Sequence, residues 1–472
     1  MVTFDDVADT RASSALEATT TSDANETRRT DDEVERGDDG DVIEPFGEKV
    51  RRFARVSRAA VAHHPRVRAL GRLVTRKTLD DLPPDALLVM FGVTHWDRET
   101  SSGERSNEVG RREWERDWRS RCWMTYRRGF EALGRTKWCT DAGWGCTLRS
   151  AQMMLANALS IHSRGRHWRR EVQLVAVHEN ETADDGSKSP AVSFLSGVVN
   201  KLNIPQSERT RAGSDAQEDI LRLFADEVGA PFSIHRVCEK TTEWGAPPGR
   251  WFEPSVMCRA FEALVAEHDL GSELTVHVVS GREGEDGGVP TVDEAEVRAK
   301  SADVGKALLL FVPVVLGVGR TINARYLSQL RSMMAFKQSV GIVGGRPNSS
   351  LYLVGHSDDV FFYLDPHTVQ VASSMVTMDF ESYYCPTPLH VCGGDLDPTL
   401  ALGFYCRDGD DVASLLVDIE ALARVNATAP ALAIRPADDR YKSISPRHAE
   451  RASPSVPPTD IRDDEFADWT FV

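Results

Sequence analysis

Several features are scarce or missing in this 472-residue sequence, and each absence excludes a class of protein. The longest strongly apolar run, Ala307 to Leu316, is about half of the roughly 20 residues that a membrane-spanning helix needs. The N-terminus is acidic at Asp5 and Asp6 and contains no apolar segment typical of a secretory signal. We therefore expect a cytoplasmic protein in which Ala307 to Leu316 forms a buried strand.

Positive charge is in deficit as well. Lys and Arg number 56 against 72 Asp and Glu, which gives a net charge of −16. A chain this acidic does not present the continuous basic face that general binding of nucleic acid requires, so we expect no nucleic-acid partner. Hydrophobic residues make up 41% and charged residues 27%, which is ordinary for a soluble globular protein.

Cysteine is sparse and irregularly placed. The eight cysteines include no CxxC pair and lack the dense spacing of a disulfide scaffold. We interpret them as reduced thiols, and this leaves one of them available as a nucleophile. A zinc site built from Cys385, His390 and Cys392 is an alternative, but it lacks a clear fourth ligand. The sequence therefore implies no metal and no cofactor.

Changes in composition divide the chain into three parts. Residues 1 to 45 are acidic with few large apolar side chains, which predicts a disordered tail. Residues 46 to 436 have the mixed pattern of one globular domain, with polar loop insertions near residues 179 to 190 and 281 to 305. Residues 437 to 472 return to a polar composition and predict a flexible tail. No internal repeat is evident, and nothing in the sequence demands more than a monomer.

A basic cluster at residues 49 to 77 allows two interpretations. It could form an arm that touches an anionic membrane. Alternatively, it forms a cationic helix on the surface of the domain and partly offsets the acidic tail, which is the interpretation that we favour.

Helical and strand-like patterns are mixed through the globular part. Cys146 to Ile161 is apolar nearly all round, which predicts a helix buried at the centre. Further helices are predicted after Pro254, which suits a first helical position, from Ile322 to Met333, and from Val412 to Leu422. Strands are predicted at Leu274 to Val279, Leu308 to Leu316, Leu351 to Gly355 and Val360 to Leu364, the last two as a hairpin. This mixture predicts an α+β or α/β fold.

A glycine-flanked cysteine opens the predicted central helix. Gly143 and Gly145 let the backbone around Cys146 pass close to a substrate, and the start of a helix favours a thiolate over a thiol. The N–H groups there can also hold a developing oxyanion. The alternative is a buried cysteine after an ordinary turn, and this segment alone does not decide between the two.

A thiolate nucleophile needs an imidazole to accept its proton and a group to orient that imidazole. Among 13 histidines, His367 follows a predicted strand and has Asp365 two residues away. In extended backbone these two side chains share a face, and Pro366 between them fixes φ. The alternative is that this Asp-Pro-His segment is only a turn.

Cys146, Asp365 and His367, taken with their neighbours, resemble the autophagins, the autophagy-related papain-like cysteine proteases that process a ubiquitin-like modifier. Four blocks carry the resemblance in the family's order: Trp123 to Arg127, Asp141 to Gln152, Phe232 to His235 with Trp251, and Gly344 to Thr368. A weaker fifth block follows at Leu396 to Cys406. Together the blocks cover most of residues 87 to 425.

The resemblance implies a papain-like α+β fold, with a small additional subregion around residues 190 to 300. It implies Cys146 as nucleophile, His367 as general base and acid, and Asp365 as the orienting carboxylate. Tyr126 matches the tyrosine whose hydroxyl helps to form the oxyanion hole, although a core tyrosine is the alternative.

The resemblance also implies how substrate enters. Trp251 matches the tryptophan that roofs the cleft, with ordinary packing as the alternative. Gly345, Arg346, Pro347 and Asn348 match the loop that covers the site, which would exclude water and untethered peptides. The implied reactions are cleavage after the modifier's C-terminal glycine and hydrolysis of its amide link to phosphatidylethanolamine. Contact with membrane would then be peripheral and transient, through the lipidated substrate.

Two features qualify this resemblance. The family often has an arginine in the strand that reads Pro313 to Gly317 here, and this chain offers only the nearby Arg320. At the C-terminus, Trp469 and Val472 follow acidic residues and resemble motifs that bind the same modifier by adding a strand. A second hypothesis is therefore a catalytically weak scaffold that holds the modifier through its cleft and this motif.

Overall fold

The computed structural model describes residues 77–96, 104–170, 216–279, 288–301 and 306–437. The predictions for the acidic tail, for nearly all of the basic cluster, for the insertion at 179 to 190 and for Trp469 and Val472 lie outside these ranges. All of the described ranges fall within one structural unit, Thr75–Val472.

Helices and strands are interleaved along the described ranges. The helices there are α1 (Glu104–Trp118), α2 (Cys146–Arg164), α3 (Ala216–Arg222), α4 (Ile234–Glu243), α5 (Pro254–Glu267), α6 (Glu294–Lys300), α7 (Leu327–Ala335) and α8 (Gly409–Val425). The strands there are β1 (Lys77–Thr78), β2 (Leu88–Met90), β3 (Val93–Trp96), β4 (Tyr126–Arg128), β5 (Leu274–Val278), β6 (Thr291–Asp293), β7 (Ala307–Val315), β8 (Ser339–Arg346), β9 (Ser349–Ser357), β10 (Val360–Leu364), β11 (Val369–Val371), β12 (Leu389–Cys392), β13 (Thr399–Cys406) and β14 (Ala433–Arg435).

A ten-stranded sheet forms the centre of the described body. Its order is β1-β12-β10-β9-β8-β13-β7-β5, and β2 pairs with both β9 and β3. Neighbouring strands are antiparallel except β5 and β7, which are parallel. Two small parallel pairs stand apart from it, β4 with β11 and β6 with β14. The largely antiparallel sheet with mixed helices confirms the predicted α+β class.

Two hydrophobic clusters form the core. The first includes Leu155 of α2 and Phe261 of α5, together with side chains from α1 and α4. The second includes Leu330 of α7 and Leu415 of α8, together with side chains from α6. Strands of the large sheet contribute to both clusters, because alternate side chains of a strand point to opposite faces. Residues 146–163 of α2 are all buried, which confirms the prediction of a central buried helix.

Several local predictions are confirmed. The longest apolar run forms the buried strand β7. The strands β9 and β10 form the predicted antiparallel hairpin, and Pro254 occupies the first turn of α5. None of the described helices is both long and apolar enough to cross a membrane.

The helix predicted from Ile322 to Met333 is shorter than its pattern indicates. Asn323 accepts a hydrogen bond from the N–H of Arg325 at 3.2 Å and starts a 3-10 turn. The α-helix α7 therefore begins only at Leu327. The apolar spacing was a correct signal of burial, but the asparagine cap sets a different start.

The stretch 281 to 305, for which the sequence predicts a loop, contains ordered structure. Residues 291–300 form β6 and then α6, and the Asp293 carboxylate caps this helix by accepting from the N–H of Glu296 at 3.0 Å. Val292 and Val297 are buried in the second core cluster. Two well-spaced valines and a cap are therefore enough to order a segment whose composition is mostly polar.

The subregion expected around residues 190 to 300 shares the main core. Its described part, 216–278, supplies α3, α4, α5 and β5. Phe232 and Ile234 from this part belong to the first core cluster, and β5 extends the large sheet beside β7. The subregion is therefore continuous with the body that carries the candidate site.

Candidate active site

Cys146 is the first residue of α2. Gly145 caps this helix, and its N–H donates to the carbonyl oxygen of Asp141 at 2.9 Å. A Cβ at position 145 would lie 2.5 Å from Asp141 Oδ2, so the close approach requires glycine. Cys146 is buried, and the N–H groups of the first turn have no partner inside the helix. This end of α2 therefore favours negative charge on the sulfur.

Asp365 and His367 form a close pair just after β10. His367 Nδ1 lies 2.5 Å from Asp365 Oδ1, and the backbone N–H of His367 donates to the same oxygen at 3.0 Å. The pairing expected from extended backbone instead occurs in a turn, because the chain leaves the strand after Leu364. Trp123 fixes this turn, since its Nε1 donates to the carbonyl oxygen of Asp365 at 2.8 Å.

Cys146 and His367 shift each other's titration in opposite directions. Burial raises the pKa of the Cys146 thiol, but the hydrogen bond and charge of His367, helped by the Ser350 N–H and the Tyr126 hydroxyl, bring it below its usual value. Burial lowers the pKa of His367, but hydrogen bonds to Asp365 and Cys146 raise it to about 9. At neutral pH the pair is therefore a thiolate beside an imidazolium.

Tyr126 lies beside both of these groups. It begins β4, which runs parallel to β11, so the strand is paired with the segment that follows His367. The Tyr126 N–H donates to the carbonyl oxygen of Pro366 at 2.8 Å. Its ring meets the imidazole edge-on with centroids 5.4 Å apart, and its hydroxyl bonds to the Cys146 sulfur. This placement suits a donor to an oxygen that develops charge at the substrate carbon.

The four residues expected to form a lid lie at the end of the β8–β9 hairpin. Arg346 pairs with Ser349, so only Pro347 and Asn348 form the turn. Asn348 has a φ of 60°, the conformation required after proline in a tight turn. Gly345 has a φ of 150°, and a Cβ there would lie 2.4 Å from the carbonyl oxygen of Ser349. The segment is therefore a tight hairpin tip.

The residues directly after this tip contact both reactive side chains. Ser349 Oγ lies 3.3 Å from His367 Nε2, and the N–H of Ser350 donates to the Cys146 sulfur. Sequence reasoning missed both serines, because a serine in a strand forms no motif. Their only signal was their position immediately after the lid segment.

Trp251 lies in the segment between α4 and α5, and its residue is 46% exposed. The neighbouring Phe252 packs edge-on against Trp144, with centroids 6.1 Å apart, two residues before the nucleophile. Gly249 has a φ of 89°, and a Cβ there would lie 2.5 Å from the ring of Trp138. These contacts hold the segment of Trp251 against the turn that delivers Cys146.

The other buried cysteines behave differently from Cys146. Burial raises the pKa of Cys122 to about 12, and it also raises the pKa of Cys238, Cys258 and Cys406. Among the described residues, no group of three or more His, Cys, Asp or Glu side chains could hold a metal ion, so the zinc alternative finds no site there. Cys146 is distinguished by its partners and not by its burial.

A network of buried charges lies beneath the nucleophile turn. Arg149 Nε donates to Asp141 Oδ2 at 2.7 Å, and Arg149 Nη1 donates to Asp226 Oδ1 at 2.8 Å. The backbone N–H of Arg127 donates to Asp141 Oδ1 at 2.6 Å. The sequence analysis missed this network as well. A charged Arg149 on an otherwise apolar helix, one turn after Cys146, was its available signal.

Comparison with known proteins places this site in a recognised family. The Peptidase C54 catalytic domain matches residues 111–418. A cysteine protease ATG4B of Oryza sativa subsp. indica is 36% identical over 333 residues, or 66% of this chain. This chain spans 62% of the length of that rice relative.

Two further plant relatives cover more of their own length. A cysteine protease ATG4b of Arabidopsis thaliana is 34% identical over 395 residues, which is 79% of this chain and 74% of the relative. A cysteine protease ATG4 of Medicago truncatula is 34% identical over 368 residues, which is 73% of this chain and 67% of the relative. The matched Peptidase C54 region contains Cys146, Asp365 and His367.

Proposed function

Because this chain belongs to the peptidase C54 family of papain-like cysteine proteases, the autophagins, we propose that it is a cysteine endopeptidase that cleaves a ubiquitin-like autophagy modifier after its C-terminal glycine. One observation carries the proposal: the Cys146 sulfur bonds to His367, whose Nδ1 lies 2.5 Å from the Asp365 carboxylate. A nucleophile, a base and an orienting acid in one line of hydrogen bonds are what acyl transfer requires.

In the proposed reaction the Cys146 thiolate attacks the carbonyl carbon of the terminal glycine. The carbonyl oxygen takes up the negative charge, and His367 donates its proton to the departing amine as the C–N bond breaks. The glycyl group is then a thioester on sulfur. His367, now neutral, removes a proton from water, and the resulting attack releases the modifier and restores the thiolate–imidazolium pair.

We assign the stabilisation of the oxyanion to the hydroxyl of Tyr126 and to the backbone N–H groups at the start of α2. The hydroxyl bonds to the Cys146 sulfur and is therefore close to the point of attack. The N–H groups of a first helical turn point along the helix axis towards such an oxygen.

We assign the selection of glycine to the narrow space between two segments. One carries Trp251 and the other is the hairpin tip of Gly345, Arg346, Pro347 and Asn348. A residue without a side chain passes where a larger one is rejected, and closure of the tip over the chain would exclude water. The globular part of 46 to 436 would thus accept one folded partner with an extended tail.

The same chemistry extends to the conjugate of the modifier with phosphatidylethanolamine. The acyl group is the same glycine, and only the leaving amine differs, so Cys146 and His367 would act unchanged. We therefore propose delipidation as a second reaction, in which a monomeric cytoplasmic enzyme meets membrane through its substrate. Trp469 and Val472 in the C-terminal tail would add a second contact with the modifier.

The test is incubation of the full chain with a modifier precursor that bears a C-terminal extension. We expect a product that ends at glycine, identified by its mass. We expect Cys146→Ala to abolish cleavage, because it removes the nucleophile, whereas Cys139→Ala at an exposed cysteine should cleave normally. Vesicles that carry the lipidated modifier test delipidation with the same three proteins.

Two outcomes would contradict the proposal. Unchanged cleavage by Cys146→Ala would remove the assigned nucleophile. Absence of cleavage by the wild-type chain, with binding that Trp469→Ala weakens, would instead favour the scaffold hypothesis.

A further inference from the structure

The charge network beneath Cys146 connects the two halves of the candidate site. Cys146 and Arg149 lie on α2, whereas His367 lies on the segment that continues through β11 to Ser373. Asp226, in the loop after α3, contacts both sides. Its Oδ1 accepts from Arg149 Nη1 at 2.8 Å, and its Oδ2 accepts from the backbone N–H of Ser373 at 3.1 Å.

The backbone of Asp226 strengthens the second contact. Its N–H donates to the carbonyl oxygen of Ser373 at 2.8 Å, so residues 226 and 373 exchange two hydrogen bonds. Arg127, the neighbour of Tyr126, adds a third element to the same place. Its Nη1 donates to the carbonyl oxygen of Val371 at 2.9 Å, and its Nε lies 3.9 Å from Asp226 Oδ2.

The network is buried and balanced in charge. The arginines at 127 and 149 and the aspartates at 141 and 226 are each at most 4% exposed. Two positive and two negative groups share this space, and the pKa of Arg149 is raised because Asp141 and Asp226 outweigh the effect of burial. Losing one partner leaves an uncompensated buried charge, so the geometry of the network is strongly determined.

We propose that Asp226 is a positioning residue for catalysis: it joins the helix that carries Cys146 to the segment that carries His367 and thereby sets the contact between sulfur and imidazole. This inference rests on the proposed function. Asp226 touches neither reacting group, and nothing in the sequence motifs around Cys146 or His367 points to it.

The experiment measures alkylation of Cys146 by iodoacetamide against pH, read from the mass of its peptide, in the full-length chain. The thiolate is the reacting form, so the profile reports the pKa of Cys146 without any substrate. In Asp226→Asn we expect that pKa to rise towards an ordinary thiol by at least about one unit, which lowers alkylation at pH 6 about tenfold. Cleavage should fall by at least about tenfold as well.

The sign of the shift separates positioning from a simple field effect. Removing a carboxylate leaves the surroundings of Cys146 more positive, which by itself favours the thiolate and lowers the pKa. A rise therefore requires that the imidazole has moved away. The matched control is Asp219→Asn, another buried aspartate that pairs with Arg222 at 3.0 Å, and we expect its profile to equal that of the wild type.

Each outcome decides the matter. A folded Asp226→Asn with an unchanged or lowered Cys146 pKa overturns the proposal, and so does an equal rise in Asp219→Asn. If Asp226→Asn fails to fold, Arg149→Lys takes its place, because lysine keeps the charge but has one nitrogen and cannot bridge both carboxylates as Arg149 does; the same rise supports and the same absence overturns. An ordinary thiol pKa in the wild-type chain would remove the thiolate–imidazolium pair itself, and both proposals with it.

Discussion

The two ends of helix α2 surround a buried histidine with similar groups and give it opposite properties. At the N-terminal end, His367 lies 3.3 Å from the hydroxyl of Ser349 and 2.5 Å from the carboxylate of Asp365. Burial lowers its pKa, but the bonds to Asp365 and to Cys146 raise it to about 9.

At the C-terminal end, His162 Nδ1 lies 2.8 Å from the hydroxyl of Tyr405. The carboxylate of Glu273 is 3.7 Å from its Nε2, which is beyond hydrogen-bond distance. Burial lowers the pKa of His162 to about 4, and the charge of Arg407 adds to this effect.

The difference shows which feature makes a buried histidine basic. Each end has a hydroxyl in contact with the imidazole, so the hydroxyl does not account for it. The helix dipole favours a cation at the C-terminal end, yet His162 there is the histidine that stays neutral. An anion in direct hydrogen-bond contact is therefore the deciding factor, and it separates a group able to transfer protons from a packing residue.

Asp365→Asn should break this comparison most strongly, because it makes the N-terminal end resemble the C-terminal one. The amide cannot stabilise the imidazolium, and it can hold the ring in the wrong tautomer. We expect the kcat/KM for cleavage of the modifier precursor to fall roughly 10³- to 10⁴-fold. We also expect the upper limit of the pH–rate profile to move below its wild-type position near pH 9.

Asp359→Asn is the control for this change. Asp359 lies in the exposed β9–β10 turn, pairs with Arg331 at 2.5 Å, and should leave the cleavage rate unchanged. A loss of less than tenfold in Asp365→Asn would show that the carboxylate is not what activates His367.

His162→Gln tests the other end through stability. The unfolded His162 has a pKa near 6.5 and the folded one near 4, so the unfolded state binds the proton first as pH falls. Stability is therefore complete above about pH 6.5 and declines towards pH 4, by roughly 3 kcal/mol or about a hundredfold in the folding equilibrium. Urea unfolding at pH 7 and pH 4.5 should show a smaller acid loss in His162→Gln.

Part of the acid loss should remain in that variant, because burial also lowers the pKa of His356 to about 4. His167→Gln at an exposed histidine should match the wild type at both pH values. An acid loss in His162→Gln as large as in the wild type would mean that His162 is not held neutral by burial.

The sequence predicts the catalytic end of α2 better than it predicts the other end. Cys146, Asp365 and His367 each lie in a local motif, and together with the apolar length of α2 they predict the helix and the elements that would meet. Periodicity likewise predicts β7 and the β9–β10 hairpin, since a strand's two faces depend on its own side chains. These are features that short segments of the chain encode by themselves.

Features that depend on tertiary contact could not be predicted in this way. The turn at Asp365 replaces the expected extended backbone, because its position is fixed by Trp123, 242 residues away in sequence. Asp226 and Ser349 reach the site only through folding and form no motif. The Asp293 cap turned a polar stretch into β6 and α6, because buried valines outweighed composition. Long-range pairing is therefore the information that local patterns lack.

Ser349→Ala should have the smallest effect of these changes and sharpen the comparison. It removes the hydroxyl from His367 Nε2 and leaves Asp365 and Cys146 in place. A hydrogen bond between a hydroxyl and an imidazole contributes about 1 kcal/mol, so kcat/KM should change by less than about tenfold. Ser349→Thr keeps the hydroxyl and should remain near the wild type. A loss in Ser349→Ala as large as that in Asp365→Asn would contradict the inference that the anion, and not the hydroxyl shared by both ends of α2, makes the histidine basic.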